Sequence, residues 1–395
     1  MVRGGVEGFY GRPYEGGRRS LLLRLLSRLE DPAYIYAPKN DTFHRLGWRE
    51  DYPAESRLLL EDDIHLAADS GIRFIFGISP WGFRDDEYPA LRRKARAAME
   101  AGSSGVAVLF DDIPQRADPE LALRQLNLVG EALEGIGGRV LLCPSLYCTE
   151  LLVRHSGEEY LSAWSENVNP EWTSMWTGRE VVSRRLDDDS LCEAAGLLGG
   201  RPAIWDNLLA DDYCLRRVYL SGLDQRIPAD HEYFLNPPEC FPAALYGVYS
   251  LVKATGAGCP WPGELGTLPA AWEVLAGFHH TPWSTAGVAS EMIRSLSGAL
   301  HRGPDAGLLA GLEETRLLMC RFLDDLEVVP WGWELAPYVR DLGRMVGWWS
   351  EILRLPSRSE RISRLQHLMF RRLPFDHPLA SMTAELAGSH QEGDL

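Results

Sequence analysis

The chain has 395 residues, 45% of them hydrophobic and 24% charged, with a formal net charge of −16. That length accommodates one large domain and a smaller one, and the composition is that of an ordinary globular protein. The acidic balance argues against a nucleic-acid groove or an anionic membrane surface as partner, and no apolar stretch approaches the ~18 residues of a membrane helix.

Seven cysteines are scattered without CxxC spacing, so neither a structural zinc site nor a disulfide framework is expected, and no metal or other cofactor is implied. The chain opens without an apolar leader, which makes the cytoplasm the expected location.

Strand-like apolar runs begin near Gly5 (GVEGFYG), Ala33 (AYIYAPKN), Arg73 (RFIFGISP), Gly105 (GVAVLFDD), Arg139 (RVLLCPSLY), Trp172 (WTSMWTG), Pro202 (PAIWDN) and Glu232 (EYFLNPP). They recur at intervals of roughly 30 to 40 residues, the size of one strand-plus-helix unit. Between the first two, residues 20–29 carry Leu21, Leu22, Leu25, Leu26 and Leu29 at helical spacing. Asp118-Pro119-Glu120 reads as a helix start, with an N-cap acid, a proline at the first position and an acid near the positive end. Gly135 to Gly138 closes that helix.

This alternation predicts an α/β fold, a closed (β/α)8 TIM barrel over residues 1–258. An open doubly wound sheet is the runner-up, but no glycine-rich phosphate loop follows an early strand. In a barrel the active face lies at the C-terminal strand ends. Here those ends hold Gly8 and Tyr10, Lys39-Asn40-Asp41, Ser79, Asp111-Asp112, Tyr147, Trp176-Thr177, Trp205-Asp206-Asn207 and Asn236.

Asp111 and Asp112 stand at the exit of the apolar run 105–110. Like charges held together push one protonation constant up. One ionised acid beside one that keeps its proton is what acid-assisted bond cleavage needs. After residue 258 the texture changes. Residues 286–302, 305–326 and 333–355 read as helices of a C-terminal α-helical region, 259–388, and the tail from 389 reads as disordered. Trp331, Trp333, Trp348 and Trp349 read as packing residues.

The motifs GVEGFYGRPY, YIYAPKNDTFHR, ISP, LFDDIP, CPSLYC, MWTG, IWDNLLADDY and LNPPE occur in the order seen in glycoside hydrolase family 84. The chain thus resembles the bacterial β-N-acetylglucosaminidases and eukaryotic protein O-GlcNAcases over about residues 4–260. The resemblance implies a retaining exo-β-N-acetylglucosaminidase using substrate assistance, in which the sugar's own 2-acetamido oxygen attacks the anomeric carbon and forms an oxazoline. By that resemblance Asp112 is the general acid, then base, and Asp111 is the partner of the acetamido N–H. Asn207 and Tyr147 hold the acetamido group. Lys39, Asp212, Asn236 and the backbone of Gly8 contact the sugar hydroxyls, while Trp205, Cys143, Thr177 and Val181 wall the N-acetyl methyl. The partner implied is a β-GlcNAc-bearing protein or glycan, with no nucleic acid and no membrane. A homodimer through the helical region is a further partner reading.

Physical chemistry favours the same assignment, since a general acid must be protonated near neutral pH and an oxocarbenium-like state needs negative charge beside it. Asp206 and His44 read as structural, and Asp211 as a helix-start acid. The chain departs from the family pattern at Tyr14, at Trp81-Gly82-Phe83 and at Ser145-Leu146. Two alternatives are a hyaluronidase-like endo-glycosidase and a catalytically silent sugar-binding barrel.

Overall fold

The computed structural model describes residues 1–113, 115–214, 216–369 and 378–388; the expected tail from Ser389 lies outside them. The chain divides into two compact units. The first comprises Met1–Asp212, Leu223–Glu239 and Val248–Cys259; the second comprises Tyr213–Gly222, Cys240–Gly247 and the chain from Pro260 onward.

Among the described residues the first unit holds eight strands: β1 (Arg3–Glu7), β2 (Pro32–Tyr36), β3 (Arg73–Ile78), β4 (Gly105–Leu109), β5 (Arg139–Cys143), β6 (Thr173–Trp176), β7 (Ala203–Asp206) and β8 (Tyr233–Leu235). They pair in parallel in chain order, and β1 closes the barrel on β8 with Arg3 opposite Tyr233. Helices alternate with the strands, as the spacing predicts.

Side-chain alternation along each strand builds two apolar layers. One phase, with Val6, Ala33, Ile35, Ala37, Ala107, Leu109, Leu141, Cys143, Ala203, Trp205 and Phe234, forms a single interior cluster. The other phase, with Tyr34, Val106, Val108, Leu142 and Ile204, is buried as well. Burial on both faces is why these strands read as continuous apolar runs rather than alternating ones.

Helix Pro119–Leu133 starts as its sequence predicts: the Asp118 carboxylate accepts the Leu121 N–H at 2.9 Å and Pro119 opens the first turn. Past its end Gly135 takes φ 72°, the left-handed conformation that suits glycine. The first helix, Arg18–Leu26, ends earlier than its leucines predict. The bonds Arg28 N–Leu25 O and Leu29 N–Leu26 O tighten the chain into a turn, because Pro32 must open β2 opposite Arg3.

The second unit is helical. Its longest helices, Ala306–Val328 and Gly332–Leu353, pack on each other. They bury Met319, Phe322, Leu326, Leu335, Val339, Leu342 and Val346. The four tryptophans do not share one packing role. Trp349 is buried and its Nε1 donates to Thr383 Oγ1 at 3.0 Å, and Trp331 meets Phe241 edge-on at 4.8 Å. Trp333 is 64% exposed, because the N-terminal turn of its helix turns that position outward. No described helix is long and apolar enough to cross a membrane.

Candidate active site

The interior phase of the strands does not stop where the strands do. Gly8 lies two residues beyond Val6, Lys39 beyond Ala37, Asp111 beyond Leu109, Asn207 beyond Trp205 and Asn236 beyond Phe234, and each of those predecessors belongs to the interior cluster. Period-two alternation carries these polar groups to the barrel axis at its C-terminal end.

Hydrogen bonds tie them together across the sequence. Gly8 N–H donates to Asn236 Oδ1 at 3.1 Å, Asn236 Nδ2 to Asn207 Oδ1 at 2.9 Å, and Asn207 Nδ2 to Val181 O at 2.9 Å. Gly8 must be glycine: a Cβ there would run into the Trp205 indole. Lys39 Nζ sits 5.5 Å from the Trp205 ring centre and pairs with Asp111 Oδ2.

Both partners of the Lys39–Asp111 pair are about 95% buried. Asp111 Oδ1, buried too, has no hydrogen-bond donor among the described residues. A buried carboxylate oxygen without a donor is costly unless something else supplies one.

Asp112 is out of phase with Asp111, so ideal strand geometry would send it the other way. Its φ of 54° reverses the backbone. Such a conformation costs a non-glycine residue on the order of 1 kcal/mol, least for Asp and Asn, and strain of this kind gathers at functional sites. The exposed Asp112 carboxylate accepts from Tyr10 Oη at 2.9 Å and from Tyr147 Oη at 3.1 Å. Burial, then the neighbouring Asp112, pushes both phenols well above their ordinary range, so they stay protonated donors.

The other expected site residues line the same end. Cys143, Tyr147 and Trp205 belong to the interior cluster, and Val181 packs against it. Burial, then Asp111, raises the Cys143 thiol well above its usual range, which keeps it a neutral packing group rather than a nucleophile. Thr177 Oγ1 donates to Glu180 O at 2.8 Å, shaping the turn beside Val181. Asp212 Oδ2 accepts the Tyr10 backbone N–H at 2.8 Å.

Asp206 is held by Arg226 at 2.5 and 2.7 Å, by Tyr233 Oη at 2.5 Å and by the Leu208 N–H at 2.9 Å. His44 is buried with Nδ1 at 2.9 Å from Gly77 O; burial, then Lys39, lowers it to about 4. Asp211 does not start a helix. It is buried, accepts the Glu239 N–H at 3.3 Å, and burial pushes its carboxyl up to about 7. The backbone before it turns instead, with Ala210 N–H donating to Asn207 O at 3.1 Å, and burial of the carboxyl takes Asp211 out of the exposed position a helix-start acid occupies.

Sequence reasoning gave no role to two groups that the structure adds. In the sequence Tyr10 is a strand-end aromatic and Arg45 the last residue of YIYAPKNDTFHR. Arg45 is nine-tenths buried beside Asp112, and the signal the sequence carries for it is its place beside His44, shortly after the second strand. Among the described residues no three His, Cys, Asp or Glu side chains gather as a metal-holding set. A cavity of about 560 Å³ lies near the start of β1, lined by Met1, Arg3, Arg28 and Thr255 among others. Its Arg3 guanidinium already donates to Pro228 and Ala229 carbonyls at 2.7 and 3.0 Å.

The family profile described as NAGidase, beta-N-acetylglucosaminidase, matches residues 3–244. Protein O-GlcNAcase of Mus musculus and that of Rattus norvegicus are each 34% identical to the chain over 267 residues. The matched region is 63% of this chain and 29% of those relatives, so the chain covers well under half of their length. Among solved structures, a mutant of Thermobaculum terrenum O-GlcNAc hydrolase shares the fold, with a TM-score of 0.78 over 98% of this chain and 94% of that one at 20% identity.

Proposed function

Because the chain belongs to the β-N-acetylglucosaminidase family, we propose that it is a retaining exo-glycosidase that removes β-linked N-acetylglucosamine by substrate assistance. The observation that carries this is Asp111. Its Oδ2 is neutralised by Lys39, while the buried Oδ1 has no donor among the described residues. The acetamido N–H of a bound sugar is the donor it lacks. Gripped there, the acetamido oxygen attacks the anomeric carbon, and the bond to the leaving oxygen breaks as the oxazoline ring closes, with the N–H proton shared with or passed to Asp111 and returned when the ring opens. Asp112 gives its proton to that leaving oxygen. It then takes one from the water that opens the oxazoline, so configuration is retained.

Tyr147 and Asn207 hold the acetamido group, and Cys143, Thr177, Val181 and Trp205 enclose its methyl. Lys39, Asp212, Asn236 and the Gly8 backbone bind the ring hydroxyls. The proposed natural substrate is O-linked N-acetylglucosamine on protein, in keeping with what the mouse and rat relatives are named for. The seven cysteines form no disulfide, which supports a reducing, cytoplasmic setting.

The test is release of nitrophenol from an aryl N-acetyl-β-glucosaminide, with chelator present. Wild type should turn over, and Asp111→Asn and Asp112→Asn should each lose about 10² to 10⁴ in kcat. NMR of the first-formed sugar should show the β anomer. A folded wild type without turnover, or variants with unchanged kcat, would sink the proposal.

A further inference from the structure

We infer that Arg45 is a positioning residue for the general acid, holding Asp112 by its backbone and by its carboxylate at once. This rests on the assignment of Asp112 as that acid. The Arg45 guanidinium lies over two rings, 4.4 Å from the centre of Trp81 and 5.2 Å from that of Tyr10. From there Nη2 donates to the Asp112 carbonyl oxygen at 3.3 Å. The second hold is indirect: the ring under the guanidinium is Tyr10, whose hydroxyl donates to Asp112 Oδ2 at 2.9 Å.

Each hold has a physical task. Asp112 has φ 54°, a conformation that relaxes unless its neighbours over-determine it. A charge-assisted bond to its carbonyl does that. A cation over the Tyr10 face fixes the ring plane, and so the direction from which the hydroxyl meets the carboxylate. Tyr10 is pinned at its other end by the 2.8 Å bond from its N–H to Asp212. Trp81 is the second ring that meets the guanidinium, and its carbonyl accepts from Trp48 Nε1 at 3.1 Å and Arg49 Nη1 at 3.3 Å. Among the described residues Arg45 makes no hydrogen bond or ion pair with Asp111 or Lys39, so it has no part in gripping the acetamido group. Its effect falls on proton delivery, and misplacing a reacting group by about 1 Å can cost 10²-fold.

Two leaving groups separate these effects. A dinitrophenolate departs without a proton; a phenolate needs one. With phenyl N-acetyl-β-glucosaminide, Arg45→Met should lower kcat about 10- to 100-fold with KM nearly unchanged. With the dinitrophenyl glycoside the loss in kcat/KM, which reports departure of the leaving group and not the later opening of the oxazoline, should stay below about threefold. Arg45→Lys keeps the charge but not the planar stack and should fall between. Tyr10→Phe keeps the ring and should show the same leaving-group selectivity, so the inference stays testable should Arg45→Met fail to fold.

In an Asp112→Ala background, adding Arg45→Met should cost nothing further on the phenyl glycoside. Equal losses on both glycosides, or an undiminished loss in the Asp112→Ala background, would overturn the role of Arg45. Asp112→Ala alone tests the underlying assignment. If its own loss is independent of the leaving group, or wild type hydrolyses neither glycoside, the acid assignment fails and the inference with it. If only Asp112→Ala is selective, Arg45 alone is refuted.

Discussion

At the scale of single residues, the Lys39–Asp111 pair sets the energetics of the site. Two charges out of water are tolerable only while each offsets the other. Lys39→Met should therefore destabilise the fold by about 3 to 5 kcal/mol at neutral pH, since it leaves Asp111 buried without its cation. Denaturant unfolding of the variant measures this, and a change under about 1 kcal/mol would mean that water reaches the carboxylate. Asp211 gives a pH-dependent counterpart. Burial holds its carboxyl at about 7, whereas an unfolded aspartate titrates near ~3.9. Between those values the folded chain keeps a proton that the unfolded chain has lost, so this residue's stabilisation is full below about pH 4 and falls as pH rises to about 7. Asp211→Asn is neutral throughout, so its Tm relative to wild type should rise from pH 5 to pH 8; a constant difference would refute the shifted carboxyl. His44 acts in the opposite sense, because a histidine lowered to about 4 loses its contribution as pH falls from about 6.5.

At the scale of elements, strand exits and helix faces follow different logic. The exits inherit the interior phase of their strands, which is why Lys39, Asp111, Asn207 and Asn236 were legible from apolar runs and the residues two places beyond them. Asp112 was legible only as a neighbour, because its left-handed backbone is not written in any period. Helix faces were less legible at their ends. Trp333 sits two positions past the αL residue Trp331, where the helical phase is not yet established. The consequence is measurable: Trp349→Ala should cost about 3 to 5 kcal/mol, whereas Trp333→Ala should stay within about 0.5. Comparable losses in equilibrium unfolding would contradict the exposure of Trp333.

At the scale of the whole molecule, closure of β1 on β8 makes the barrel one cooperative sheet, with residues 3 and 233 as neighbours. The helical unit takes in two segments that lie between barrel strands or just after the last one. Leu220 N–H donates to His279 O at 2.7 Å, Phe241 N–H to Glu334 Oε2 at 2.8 Å, and Tyr246 stacks on Trp272 at 5.0 Å. A chain ending at residue 258 removes His279, Glu334 and Trp272, leaving these segments without those partners. Its Tm should fall by at least ~5 °C relative to the full chain, and scanning calorimetry checks it; an unchanged Tm would show that those bonds contribute nothing to the barrel's stability.

The amino-acid sequence by itself determined the eight apolar runs, their spacing, the caps of a helix such as Pro119–Leu133, and with them the (β/α)8 class and the family. These are local or periodic properties, set by which face of each element must leave water. Tertiary structure alone decided who meets whom across the barrel mouth: Gly8 with Asn236 across 228 positions, Lys39 with Asp111 across 72, Tyr10 with Asp112 across 102. It also decided that Asp211 is buried and that Arg45 lies in a stack. Periodicity states that a side chain points inward, but its partner and its solvation depend on closing a ring of strands, and no single segment of the chain encodes that closure.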